Sequence, residues 1–75
     1  MAYATELTPE TWLTHLFSSR AARDGAVIRR KLRDIDRFFG LDEFERELRR
    51  RGYHAVVNAG QMIIFCNREP VEHFC

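Results

Sequence analysis

The side chains able to do chemistry in this sequence are three histidines, two cysteines and twelve basic residues. His15, His54 and His73 stand far apart along the chain. His73 and Cys75, with Cys66, would offer nitrogen and sulfur donors, but zinc modules hold their ligands in paired close spacings that are missing here. No metal site and no cofactor is expected. His15 falls on the polar side of a helix and His54 in a strand, both ordinary surface or boundary positions. Ser18 and Ser19 lie near Arg20 and Asp24 but in no nucleophile elbow. Cys66 sits in an apolar strand, where a thiol is buried and inert. Gly60 is isolated, so no glycine loop cradles a phosphate. No catalytic residue emerges, and the reading leans away from an enzyme.

The basic residues point to binding. Residues 20–51 carry eleven of the twelve bases against seven acids, a local excess of four in a chain whose net charge is +1. An arginine surface built from Arg29, Arg30, Lys31, Arg33 and Arg37, with Arg49, Arg50 and Arg51, would meet phosphates. The competing reading is a solvated, salt-bridged helix face. Arg30 with Asp34, and Arg33 with Asp36 or Arg37, fall within one helical turn, and the three C-terminal arginines follow three acids on their own helix.

The elements that must position these residues centre on Asp42 to Asn67. Asp42 can cap a helix, and Glu45 three residues on completes a capping box. Acids crowd the first turn and Arg49 to Arg51 the last, the order a helix dipole favours. Leu41, Phe44 and Leu48 share one face. Gly52 supplies a left-handed stop, with Tyr53 and Leu48 as the hydrophobic pair of a Schellman motif. His54 to Val57 and Gln61 to Cys66 then read as two strands of a hairpin around Asn58-Ala59-Gly60. A type I turn with Gly60 in a left-handed bulge position is expected. The second strand is apolar on both faces, so cover on both sides is expected. Two strands alone are marginal in water, so the tail, the N-terminal segment or a second copy should cover the outer edge.

Upstream, Thr8-Pro9-Glu10 opens a helix that runs to about Ser19 with Trp12, Leu13, Leu16 and Phe17 on one face. Residues 18–25 either continue it or bend it, with Gly25 as a break. A second helix is expected from about Ala26 to Phe39, on the stripe Ile28, Leu32, Ile35 and Phe39. Gly40 ends it, and the sharp corner to the next cap is helix-turn-helix-like. Pro70 argues against a central strand in the tail, though Val71 and Phe74 could pack on the core or form an edge.

Seventy-five residues make one domain, spanning 1–75, with a small core. Hydrophobic content of 45% and charged content of 31% exclude a disordered chain. No apolar run approaches the roughly 20 residues of a membrane span, so no membrane partner is expected. The N-terminus lacks a signal peptide's basic start and apolar core, and the cytoplasm is the expected compartment. Cys66 and Cys75 then read as free thiols, a disulfide between them being the alternative.

Two resemblances follow from these motifs. Glu47 to Tyr53, a strand, Gly60 and a second strand resemble the helix–Gly-aromatic–hairpin opening of HicA-type RNA-cleaving toxins. That family has a histidine soon after the hairpin glycine, where Gln61 and Met62 stand here, so ribonuclease activity is not implied. Over its whole length the chain resembles short, uncharacterised alphaproteobacterial proteins, through Thr8 to Trp12, Arg33 to Arg37, Arg49 to Tyr53, Asn58 to Gln61 and Phe65 to Arg68. Some of these are labelled phosphoribosylanthranilate isomerase, a TIM-barrel enzyme of at least ~200 residues. A 75-residue chain cannot form that barrel, so the isomerase label implies no chemistry here.

The expected fold is α+β: two or three N-terminal helices packed on a C-terminal antiparallel β-hairpin. The expected core is Trp12, Leu13, Leu16, Phe17, Ile28, Leu32, Ile35, Phe39, Phe44, Leu48, Val57, Ile63 and Phe65. The expected function is a non-catalytic interaction or regulatory module that binds a protein partner or itself. The alternative is a nucleic-acid-binding protein, winged-helix-like or like a double-stranded-RNA-binding domain, using the arginine faces. Against the winged helix, Asp42, Glu43 and Glu45 would face the phosphates.

Overall fold

A computed structural model describes residues 8–75 of the chain. Its elements run α1 (Pro9–Phe17), α2 (Arg20–Arg23), β1 (Val27–Lys31), α3 (Leu32–Phe38), α4 (Leu41–Arg51), β2 (His54–Asn58) and β3 (Gln61–Phe65). The three strands form one antiparallel sheet in the order β1-β3-β2. The fold is α+β, with three strands where a hairpin alone was expected.

The largest correction falls on residues 26–39. In place of one helix, Val27–Lys31 pairs with β3 and only Leu32–Phe38 is helical. The stripe at 28, 32, 35 and 39 survives as inward positions of two different elements, so its spacing could not tell them apart. What decides is the edge of β3 left open by the hairpin, whose backbone groups need a second strand. β1 places Ile28 opposite Ile64 and completes the second ladder, which Cys66 N–H to Ala26 O and Leu32 N–H to Gly60 O, both 3.0 Å, extend at either end. The edge expected to need a tail or a second copy is thus filled from within. Residues 68–75 form no strand, and Val71 and Phe74 are exposed instead of packed. The N-terminal segment proposed for that role lies largely outside the described residues.

α1 starts as expected: Thr8 Oγ1 accepts the Thr11 N–H at 3.1 Å, with Pro9 in the first turn. It stops at Phe17, earlier than Ser19, because Ser19 caps the short α2 by accepting the Ala22 N–H at 3.3 Å. α4 has the expected face and stop but not the expected start. Gly40 is its N-cap, and Asp36 Oδ1 accepts the Leu41 N–H at 3.3 Å. The Asp42–Glu45 capping box does not form, because the helix already begins at Leu41 and Asp42 lies inside its first turn, while Glu45 meets Arg49 one turn on at 2.7 Å. At the other end Gly52 is left-handed (φ 77°). The Gly52 N–H reaches Arg49 O at 3.1 Å and the Tyr53 N–H reaches Leu48 O at 2.9 Å, the paired bonds of a Schellman stop.

The core lies between helices and sheet: Leu13, Leu16, Ala22, Ile28, Ile35, Phe44, Leu48, Ile64 and Cys66. Trp12, Phe17 and Phe39 pack partly buried around it, as does Met62. Leu32 is half-buried. The expected Val57, Ile63 and Phe65 are not core residues: Val57 is 55% exposed, while Ile63 and Phe65 lie half-buried on the other face. Side chains alternate along a strand, so an inward Ile64 and Cys66 force Ile63 and Phe65 outward.

The hairpin turn also differs from expectation. Only Ala59 and Gly60 separate the strands, and both have positive φ (52° and 75°), the signature of a type I′ turn. A left-handed alanine is strained by roughly 1–2 kcal/mol, and type I′ turns favour asparagine at that position. Ala59→Asn is therefore expected to raise the unfolding free energy by about 0.5–1 kcal/mol in urea titration. A variant no more stable than the parent would show that the turn relaxes to another geometry.

Candidate functional site

The helices cover one face of the sheet. Among the described residues no helix or strand covers the other, where Val27, Arg29, Lys31, Val56 and Asn58 are exposed. The cover expected on both faces of β3 is thus found on one. The strand register sets nine outward residues in three rows: Val27, Phe65 and His54; Arg29, Ile63 and Val56; Lys31, Gln61 and Asn58. The centre is apolar, with half-buried Ile63 and Phe65 between Val27 and Val56, 47% and 41% exposed. The β1 border carries two exposed cations. The opposite border carries imidazole and amide groups. None of the nine is an acid.

The seven arginines expected to form one basic surface are divided by the fold. Arg29 lies on the open face. Arg30, one residue on, points to the other side of the strand, and its Nη1 donates to Arg29 O at 2.7 Å. Its expected partner Asp34 belongs to a different element and is met instead by Arg33 Nε, at 3.8 Å. Arg37 lies in the last turn of α3, 5.9 Å from the Phe38 ring. Lys31 and Arg33 line a shallow depression beside the Ala59–Gly60 turn. Arg29 and Lys31 thus share the open face with Arg33 beside Lys31 at one corner, Arg30 lies on the other side of β1, Arg37 lies on α3, and α4 holds the rest.

The α4 arginines are occupied by their own helix. Arg46 Nη1 meets Glu43 at 3.0 Å and Arg49 Nη2 meets Glu45 at 2.7 Å. Glu47 accepts from both Arg50 and Arg51, with Arg51 Nε at 2.8 Å. The Arg50 hydrogen bond, against an opposing desolvation and with Arg51 adding to it, holds the Glu47 carboxyl below the usual range. Arg51 also lies over the Phe17 ring at 4.5 Å. With Asp42, Glu43, Glu45 and Glu47 set against Arg46, Arg49, Arg50 and Arg51, α4 has no net charge with which to attract a phosphate.

The remaining candidates are dispersed. His15 is exposed on the last turn of α1, His73 in the tail, and only His54 joins the open face. Cys66 is a buried free thiol whose pKa is pushed up by burial, and Cys75 is exposed and free. Among the described residues no three His, Cys, Asp or Glu side chains converge as metal ligands. No described helix is long and apolar enough to cross a membrane. An open cleft of about 460 Å³ lies between α4 and the β2 end of the sheet, with Leu41, Asp42, Glu45, Arg49 and Val57 among its walls.

Sequence reasoning missed Phe65 as a surface group because it assigned it to the core, and it took His54 only as an ordinary surface or boundary residue. The parity of Cys66 was the available signal, since a buried cysteine puts its neighbour on the opposite face. Comparison with known proteins finds no matching family model, no similar curated protein and no similar solved structure.

Proposed function

We propose that this protein is a non-catalytic interaction module whose working surface is the open sheet face, and that the partner this face fits is a single-stranded nucleic acid. The observation that carries the reading is the pattern of the nine outward residues: an apolar and aromatic centre, cations on one border and no acid. Single strands are bound where bases stack on aromatic side chains while nearby cations follow the backbone. Phe65 beside His54 is the stacking pair, and Arg29 and Lys31, extended by Arg33, are the phosphate contacts.

The element order supports a winged-helix-like reading of the fold: helix, a short second helix, strand, helix, tight turn, helix and hairpin, with the first strand beside the last. In that arrangement α4 would enter the groove of a duplex. Its opening acids Asp42 and Glu43 and its internally paired arginines speak against that use here, so the contact is placed on the sheet.

Fluorescence anisotropy with labelled single-stranded RNA and DNA of about twelve nucleotides, a length within the usual range of small sites, tests this. Binding should weaken with salt. Replacing Arg29 and Lys31 by Ala should lower the slope of log affinity against log salt by about 1.4, at roughly 0.7 per phosphate contact on single strands. Arg49→Ala with Arg50→Ala should leave affinity within about twofold, as expected when a surface ion pair lies outside the interface. No binding at low salt, or an equal loss from the α4 variant, would refute the reading.

A further inference from the structure

We infer that the free edge of β2 joins a second copy of this chain, making one continuous six-stranded sheet across a two-fold axis at Val56. This inference concerns the edge of the sheet and stands whether or not the open face binds nucleic acid.

The two edges of the sheet differ in kind. β1 carries Arg29, Arg30 and Lys31 in succession, the charged guard that keeps an edge from pairing. β2 reads His-Ala-Val-Val-Asn, with no formal charge, no proline and no bulge. A two-residue turn makes Asn58 and Gln61 a hydrogen-bonded pair, and the antiparallel alternation then turns the N–H and C=O of Ala55 and Val57 away from β3. No other described group takes them up. Beside them Val56 and Val57 are 41% and 55% exposed.

That edge is complementary to itself. Antiparallel pairing about Val56 sets Ala55 opposite the partner's Val57, and the reverse, so all four free groups on each strand find partners. Val56 meets the partner's Val56 on the open face, a close apolar cross-strand pair. On the helix side, α4 reaches β2 through only Gly52 and Tyr53 and flanks the cleft beside β2. The same two-fold runs the two α4 helices antiparallel. The flank each turns to the cleft carries Asp42 and Glu45 at one end and Arg49 at the other. Acid then faces base across the axis, with Leu41 and Val57 between. A copy joined at β1 would instead set Arg29 against the partner's Arg29, which like charges oppose.

Light scattering on the full chain in reducing buffer, across a dilution series, should show twice the single-chain mass. Val56→Lys places two like charges at the axis and should weaken the dimer at least about tenfold. Val57→Pro removes a donor that β3 does not use, so it should give a folded monomer by circular dichroism. In a Cys75→Ser background, Val56→Cys should oxidise to a covalent dimer, since such a pair stands about 4.5 Å apart at Cα, within disulfide reach. A wild-type chain that stays at single-chain mass overturns the inference, whether the edge is then empty or taken by another protein's strand. So does a dimer that keeps its mass with Val56→Lys and forms no cross-link at Val56→Cys.

Discussion

Phe44→Ala is expected to leave the protein largely unfolded at room temperature. Phe44 is fully buried and is the hub of the aromatic cluster, with ring centres 5.9 Å from Trp12, 6.1 Å from Phe17 and 6.0 Å from Phe39. Truncating a buried phenylalanine costs about 3–5 kcal/mol, because the transfer energy is lost and the cavity closes only in part. The edge-on contacts with Trp12 and Phe39 add to this. A core of this size supplies roughly 3–5 kcal/mol of net stability, so the loss matches the whole. Trp12 is the only tryptophan and touches Phe44 directly, so its fluorescence reports the site while urea titration reports the fold. Phe44→Leu keeps most of the volume and should remain folded. A Phe44→Ala protein with a native spectrum and a loss below about 1 kcal/mol, far under the usual range, would mean that α4 is not seated on this cluster.

The helices that were legible in the sequence are those whose start, face or stop is written locally. Thr8-Pro9 opens α1, and the run Leu48 to Tyr53 closes α4, through groups within a few residues of one another. Long-range pairing was not legible. Residues 27–31 continue the helix-compatible stripe of residues 28–39 through Ile28, and only the open edge of β3 makes them a strand. The Asp42 cap failed for the opposite reason: Asp36, five residues before the Leu41 amide it binds, competed for the helix start. The site was obscured by the same uncertainty. Once β1 is a strand, Arg29 and Arg30 must part to opposite faces, and an expected helical arginine face becomes one cationic border of a sheet. Parity explains Phe65 as well. Its type says core, and its neighbours Ile64 and Cys66 hold both inward positions beside it.

Gly52→Ala is expected to cost about 1–2 kcal/mol, chiefly from holding a left-handed backbone with a Cβ. Gly52 has φ 77° and ends α4. An added Cβ would lie 3.1 Å from Cγ and 3.2 Å from Nε of Arg68. Arg68 is exposed, and its flexible side chain can swing aside. The backbone cannot yield so cheaply, because the Tyr53 N–H bond to Leu48 O depends on the left-handed turn. Tyr53 in turn stacks edge-on against Phe17 at 5.5 Å and leads directly into β2. A shifted stop would therefore slide β2 against β3, and a slip of one residue would exchange Ala55 and Val57 with His54 and Val56 between the two faces. Urea titration can separate the two causes. If the backbone dominates, Gly52→Ala costs the same with Arg68→Ala as without it, and Gly52→Asn costs less, since asparagine tolerates this conformation. If the penalty vanishes with Arg68→Ala, crowding by the tail sets the requirement for glycine, and α4 could end without a left-handed residue.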